Sequence, residues 1–151
     1  YNNNFKADHL GGKRSTARLC NLGIALLEYF RKVARRELDS SEHFTPPSRI
    51  WELADMAKEY VSLGNQTGEG WLLTAEMLEL ADKGVNNIVC TQPFGCLPSH
   101  ICGKGMMKPI KAKNPNINIV AIDYDAGATR VNQENRIKLM LATAQKNLTA
   151  D

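Results

Sequence analysis

Two short apolar segments, separated by a stretch with helical features, constrain the fold of this chain more than any other feature. The segments are 87–91 (N-I-V-C-T) and 117–122 (I-N-I-V-A-I), and Pro98 suits the first turn of a helix between them. Strand, helix and strand make a βαβ unit, whose crossover is expected to be right-handed. The sequence therefore predicts a helix-rich α/β fold with a small parallel sheet, equivalent to half of a Rossmann-like domain.

Helical periodicity predicts most of the remaining chain to be helix. The crossover helix should break near Gly105, because Gly103, Gly105 and Pro109 interrupt it. A broad apolar face on the first helix predicts burial against more than one neighbour. The last helix should bury Ile137, Met140 or Leu141, Ala144 and Leu148. The expected helices cover about residues 15–38, 49–62, 71–83, 98–113 and 129–147.

The predicted organisation has two parts. Residues 1–14 are polar and glycine-containing and are expected to form a flexible lead. A single α/β domain over 15–151 follows, made of a helical part (15–83) and a βαβα unit (84–151). Because the chain starts without methionine and stops soon after a helix, we expect it to be a fragment of a longer protein.

A sheet of two parallel strands is difficult to stabilise alone, because parallel strands normally need cover on both faces and neighbours at their edges. Either a third strand lies in a segment that reads as irregular, or another copy of the chain covers the edges. A homodimer formed through the sheet edges is therefore an expected assembly.

Composition and charge exclude several classes of protein. The net charge of +3 is too small and too dispersed to predict binding to nucleic acid. No apolar run approaches the roughly 20 residues of a membrane span, and a signal peptide is not expected. The four cysteines are expected to be reduced thiols in a cytoplasmic protein, because a chain long enough for a core does not need a disulfide framework.

Most of the chemically active side chains follow the first predicted strand. Cys90, Cys96, His100 and Cys102 lie in one short window, but five residues separate each successive pair of cysteines, which disfavours a structural zinc site. Cys96 differs from the others because it precedes a helix N-terminus, where a thiolate is stabilised and could meet the iron of a cluster. A cysteine–histidine enzyme using Cys96 and His100 is a further hypothesis.

Two acidic residues, Asp123 and Asp125, end the second predicted strand. A dinucleotide site would need the G-x-G-x-x-G fingerprint after the first strand, and that fingerprint is missing. The lysine between Gly103 and Gly105 is no substitute, because it falls inside the crossover helix. Asp125 and Gly127 are instead expected to shape the turn and cap the final helix.

Three segments of the sequence, 68–77, 87–105 and 118–141, resemble the C-terminal part of large acyl-CoA dehydratase activase-related proteins of bacteria. The run Q-P-F-G-C-L-P at 92–98 carries most of this resemblance. These proteins are described as activators of 2-hydroxyglutaryl-CoA dehydratase. More distantly, the βαβ unit is similar to the last such unit of 2-hydroxyacyl-CoA dehydratase subunits, in which cysteines from separate loops hold an iron–sulfur cluster.

The resemblance implies a role for Cys96 as a cofactor-binding residue, since it matches one of those cluster cysteines. Cys96, with Cys90 as a second candidate, is the expected metal ligand. The chain departs from the family pattern at Ser99, where asparagine is expected, and at Ala126, where proline is common. Cys102 matches no cysteine of the pattern.

The expected function follows from this resemblance. The chain would be part of a dehydratase-like region that contributes to an iron–sulfur electron-transfer or reductive site, with the rest of the parent polypeptide as its partner. The parent would be linked to ATP-driven electron transfer or acyl-CoA dehydration. The nucleotide-binding motifs of the family do not appear in this sequence, so ATP hydrolysis is not assigned to it. Because one thiolate cannot hold a cluster, the isolated fragment is expected to hold none and to be inactive. The alternative is a scaffold or interaction module without metal.

Overall fold

The computed structural model of this protein describes residues 1–149. It is helix-rich and contains one small parallel sheet, as the sequence predicts. A π-helical turn (Ser99–Gly103) and a 3-10 turn (Lys104–Met106) follow the first strand. The helices and strands are α1 (Asn2–His9), α2 (Arg14–Asp39), α3 (Ile50–Ala57), α4 (Trp71–Asp82), β1 (Asn87–Pro93), α5 (Met107–Lys113), β2 (Asn118–Tyr124) and α6 (Arg130–Leu148). None of the described helices is both long and apolar enough to cross a membrane.

The chain divides into two compact units, Tyr1–Glu52 and a second that begins at Leu53. The first unit contains α1 where the sequence predicts a lead without structure. The side-chain amides of Asn4 and Asn21 bond each other at 2.8 and 3.0 Å, which ties α1 to α2. Gly11 has a φ of +68°, and the Gly12 amide donates to the Lys6 carbonyl at 2.8 Å. The two glycines therefore end a helix rather than interrupt an irregular segment.

Helix α2 has the predicted extent, but residues 1–149 leave most of its broad apolar face uncovered. The neighbours that the sequence predicts for this face include some outside this chain. Ala17 is the buried residue of α2. Ile24 is partly buried. Seven other large apolar side chains of α2 are more than half exposed, namely Leu19, Leu22, Leu26, Leu27, Tyr29, Phe30 and Val33. The periodicity predicts the helix correctly, but it does not identify what covers the face.

The second unit has its core on one side of the sheet. The main cluster of buried side chains comes from α4, β1, α5, β2 and the residue before β2, and it consists of Met77, Leu78, Ile88, Ile110, Ile117 and Ile119. Helix α6 packs along β2, and the side-chain amide of Asn118 donates to the Met140 carbonyl at 2.9 Å. Strand β2 is therefore covered on both faces, whereas Val89 of β1 remains 43% exposed.

The predicted buried face of α6 is mostly wrong. Met140 is buried, but Ile137, Leu141 and Leu148 are exposed. Polar side chains make the neighbouring contacts: Arg136 Nη1 donates to the Ala121 carbonyl at 3.0 Å, and Gln133 Nε2 to the Asp123 carbonyl at 3.4 Å. Apolar periodicity cannot detect a helix face that binds a strand through side-chain hydrogen bonds.

The two strands pair in parallel, with Gln92 opposite Asp123 and Pro93 opposite Tyr124. Among residues 1–149 no third strand joins the sheet. The predicted break in the crossover is confirmed: the helical path from Leu97 to Lys113 changes from α to π to 3-10 and back to α near Gly105. Because the strands run in register, the segments after β1 and β2 begin at the same edge of the sheet.

Candidate functional site

A tight turn places Cys96 at the carboxyl edge of the sheet. The Phe94 amide donates to the Tyr124 carbonyl at 3.0 Å, and the Cys96 amide donates to the Pro93 carbonyl at 3.3 Å. Gly95 lies at the third position of this turn with φ +78°, a conformation that favours glycine. The His100 amide then donates to the Cys96 carbonyl at 3.0 Å. Cys96 is therefore the residue from which the helical path starts.

The thiol of Cys96 is half-buried and has one close polar neighbour. Ser99 Oγ lies 3.1 Å from Cys96 Sγ and 3.4 Å from Glu69 Oε1, and Ser99 is itself buried. The Ser99 hydroxyl has one proton, so it donates either to the sulfur or to the carboxylate. A thiolate at Cys96 would accept a hydrogen bond from the Ser99 hydroxyl, whereas a thiol would donate to Ser99 Oγ while Ser99 donates to Glu69. The arrangement thus accommodates both protonation states of the sulfur.

Beside Cys96, four side chains from β1, β2 and the crossover form a connected polar group that we call the rim network: Gln92, His100, Lys104 and Asp123. Gln92 Nε2 donates to Asp123 Oδ1 and lies 2.9 Å from His100 Nδ1. Lys104 Nζ lies 3.2 Å from Asp123 Oδ2. The hydrogen bond from Gln92, and then the charge and hydrogen bond of Lys104, hold the pKa of Asp123 below its ordinary value.

Gln92 is the most buried member of the rim network, with 1% of its surface exposed. Its carbonyl oxygen Oε1 is buried and has no hydrogen-bond partner within residues 1–149. Such an acceptor costs about 1–3 kcal/mol when nothing bonds to it. It is therefore a place where the fold leaves a polar group available to a water or a ligand.

The other two cysteines of the window face the interior. Cys90 packs closely against Gly103, because a Cβ added at Gly103 would lie 3.3 Å from Cys90 Sγ. Burial, together with the negative charge of Asp123, raises the pKa of Cys90. Cys102 is buried, and burial and Glu69 raise its pKa. Both shifts favour the neutral thiol over the thiolate that binds metal. No three of the described His, Cys, Asp and Glu side chains are grouped to hold a metal ion.

Asp125 shapes the turn after β2 as predicted, since the Ala128 amide donates to its carbonyl at 3.0 Å. The prediction that it caps α6 is wrong. Thr129 precedes the helix, and no side chain forms a capping hydrogen bond there. Asp123, by contrast, joins the site.

Three members of this site were not predicted from the sequence: Gln92, Ser99 and Lys104. For Gln92 a signal exists, because Ile88, Cys90 and Gln92 occupy one face of an alternating strand and a polar residue on an inward face is unusual. For Ser99 and Lys104 no signal exists, because the π-turn that positions them is not encoded by a simple spacing.

Comparison of the chain with protein-family models, with curated proteins and with solved structures found no match. The fold and the geometry of the rim therefore carry the functional argument.

Proposed function

We propose that Cys96 supplies one thiolate ligand to an iron–sulfur cluster in a longer bacterial protein of the acyl-CoA dehydratase activase-related kind. This protein would be cytoplasmic. The observation that carries the proposal is the position of Cys96: a half-buried thiol at the start of a helical path, on the carboxyl edge of a parallel sheet. Loops at this edge are where α/β proteins place their ligands.

The surroundings of the sulfur support the same role. Ser99 Oγ, at 3.1 Å, is placed to donate a hydrogen bond to the sulfur, and hydrogen bonds to cluster sulfurs tune reduction potentials. Cys90 does not share these features, because its thiol packs inward against Gly103 and its pKa is raised. We therefore propose Cys96 alone from this chain as the ligand.

One thiolate cannot hold a cluster, so the proposal requires further cysteines from elsewhere in the parent polypeptide. A bound cluster would supply one-electron chemistry to an acyl-CoA-type substrate. The contribution of this chain would be to position one ligand and to surround it with the rim network. The proposal also includes a right-handed crossover between β1 and β2, as in half of a Rossmann-like domain.

The test is iron and sulfide analysis of the parent protein purified without oxygen. We expect Cys96→Ser to lower the iron and acid-labile sulfide content, while Cys20→Ser, at a cysteine on α2, leaves both unchanged. Equal cluster content in the wild type and in Cys96→Ser would remove Cys96 from the site.

A second candidate function, an interaction module without metal, is favoured by the exposed face of α2. Leu19, Leu22, Leu26, Tyr29 and Val33 alternate in steps of three and four residues, the spacing of a helix that packs against another helix. The row extends roughly 20 Å along the axis. Exposed apolar patches of this kind mark interaction sites.

We propose a second copy of the chain as the partner in that case. A homodimer formed through the outer edges of the two-stranded sheet would use a different surface from one formed through α2. Sedimentation velocity over a range of concentrations distinguishes the two surfaces. Leu22→Lys should abolish a dimer formed through α2, and Val89→Lys on β1 should weaken one formed through the sheet. A monomeric wild-type chain at every concentration would exclude both.

A further inference from the structure

The rim network fixes the orientation of the Gln92 amide. Asp123 Oδ1 lies next to one end of that amide, and Lys104 Nζ pairs with Asp123 Oδ2 at 3.2 Å, so the carboxylate is ionised and only accepts hydrogen bonds. The end that faces Asp123 is therefore the NH₂ group. Rotating the amide by half a turn would place its carbonyl oxygen against the carboxylate, which is unfavourable. Burial of Gln92 leaves no room for a third arrangement.

The orientation of the amide in turn fixes the tautomer of His100. The NH₂ group has two protons, and Asp123 accepts one of them. The other points at His100 Nδ1, which is 2.9 Å away. Nδ1 must then accept, so the neutral ring carries its proton on Nε2. Asp123 thus determines the tautomer of His100 through a buried amide.

The Nε2–H group of His100 is directed to the outside of this network. Among the described residues this Nε2–H group has no hydrogen-bond partner, and Nε2 is not a buried atom. The Phe94 ring stands edge-on to the imidazole, with ring centroids 6.4 Å apart. His100, whose amide donates to the Cys96 carbonyl, therefore presents a hydrogen-bond donor at the surface.

We propose that His100 binds a carbonyl or carboxylate oxygen of a ligand through Nε2–H, and that Gln92 and Asp123 are positioning residues for it. The Oε1 atom of Gln92, which has no hydrogen-bond partner within residues 1–149, belongs to the same buried amide. Lys104 and Asp123 compensate each other's charge, so the rim suits a neutral or singly charged oxygen rather than a phosphate dianion.

The same tautomer excludes two other roles for His100. A general base for Cys96 needs a free nitrogen lone pair, but Nδ1 is occupied by Gln92 and Nε2 carries a proton. A metal ligand needs the same lone pair. The cysteine–histidine enzyme predicted as an alternative from the sequence is therefore disfavoured by this geometry.

This inference deepens the proposed site but does not depend on a cluster. Its tests require no iron, and the cluster test requires no histidine, so the two proposals fail separately. If Cys96 binds no cluster, the tautomer and the ligand response remain measurable. If His100 proves to be the other tautomer, the iron content of the parent protein is unaffected.

The tautomer is measured directly by two-bond ¹H–¹⁵N correlation spectra of the 151-residue chain with labelled histidine, at neutral pH. We expect the Nε2–H pattern for His100. Asp123→Asn should shift His100 towards a mixture of tautomers, because an asparagine amide no longer requires the NH₂ group of Gln92 to face it. Glu134→Gln, a matched carboxylate-to-amide change on α6, should leave the pattern unchanged. An Nδ1–H pattern in the wild type would overturn the proposal.

Ligand binding is measured by adding acetamide or acetate as probes and following the Nε2 signal of His100. We expect a saturable shift in the wild type and at least a fivefold weaker response in Asp123→Asn. A response to both probes indicates a carbonyl site, and a response to acetate alone indicates a carboxylate site. No saturable shift with either probe would overturn the assignment of the ligand, even with the expected tautomer.

Discussion

The hydrogen bond between Thr74 and Cys102 gives the sharpest prediction about how the fold supports the rim. Thr74 Oγ1 of α4 donates to the Cys102 carbonyl in the π-helical turn at 2.6 Å, and both residues are buried. Thr74→Val keeps the shape of the side chain but removes the donor. We expect the free energy of unfolding to fall by about 1–3 kcal/mol, the cost of leaving a buried acceptor without its partner.

The assay is urea unfolding followed by Trp71, which is 3% exposed and lies in the same unit as Thr74. A Trp51→Phe background removes the other tryptophan signal. Thr143→Val is the matched control, because Thr143 Oγ1 also bonds a backbone carbonyl, that of Leu139 at 3.0 Å, but in an exposed position where water replaces it. A loss for Thr74→Val no larger than for Thr143→Val would refute the argument that this bond holds the π-helical turn.

Three further predictions follow from the same structure. The pKa of Asp123 is lowered in the folded chain, so its ionised form adds stability above the unfolded pKa of about 4, and this stability is lost as pH falls through the folded pKa. Asp123→Asn should therefore destabilise the chain at neutral pH and make its stability depend less on pH in acid. An unchanged acid unfolding curve would contradict the hydrogen bonds and charge assigned as the cause of the lowered pKa. Native-state alkylation at neutral pH should modify Cys96 before Cys90, whose burial raises its pKa, as peptide mass spectrometry would show. Gly70→Ala should lower the free energy of unfolding, measured by thermal unfolding, by more than roughly 2 kcal/mol, because a Cβ there would lie 1.9 Å from the Asn65 carbonyl oxygen. Gly84→Ala, at a residue with φ +79° and open space around it, should lower it by only about 1–2 kcal/mol. Equal losses of stability in the two variants would disprove the clash at Gly70.

The sequence predicts the βαβ order, the parallel pairing and the broken crossover, because these follow from local patterns. Asn87–Thr91 and Ile117–Ile122 are short, apolar and bounded by turn residues, and Gly105 with Pro109 cannot continue a regular helix. The sequence does not predict helix α1 because most of its residues are polar and none is buried, so no periodicity reveals it. Its side-chain hydrogen bonds with α2 join Asn4 to Asn21 and Asn3 to Cys20, which are contacts distant in sequence.

The candidate site divides in the same way. Cys96 and Asp123 are predictable, because strand ends and a helix start determine their surroundings. The link between Asp123 and His100 is not, because it passes through Gln92 and requires the register that places Gln92 opposite Asp123. A shift of one residue in that register would turn Gln92 to the other face of the sheet. The chemistry of His100 therefore depends on strand pairing rather than on its own sequence neighbours.

Gln92 also allows the structural and the functional explanations of the rim to be separated. If the network served only to stabilise the sheet, an apolar side chain at position 92, on the same strand face as Ile88, would stabilise the fold more than an amide whose oxygen has no partner within residues 1–149. The amide is useful only if its two protons are needed, one by Asp123 and one by His100. Gln92→Leu is then expected to be near neutral in unfolding free energy, because a removed hydrogen-bond pair is offset by a removed unsatisfied acceptor. The same variant should release the tautomer of His100, and a large loss of stability with an unchanged tautomer would mean that the network is structural.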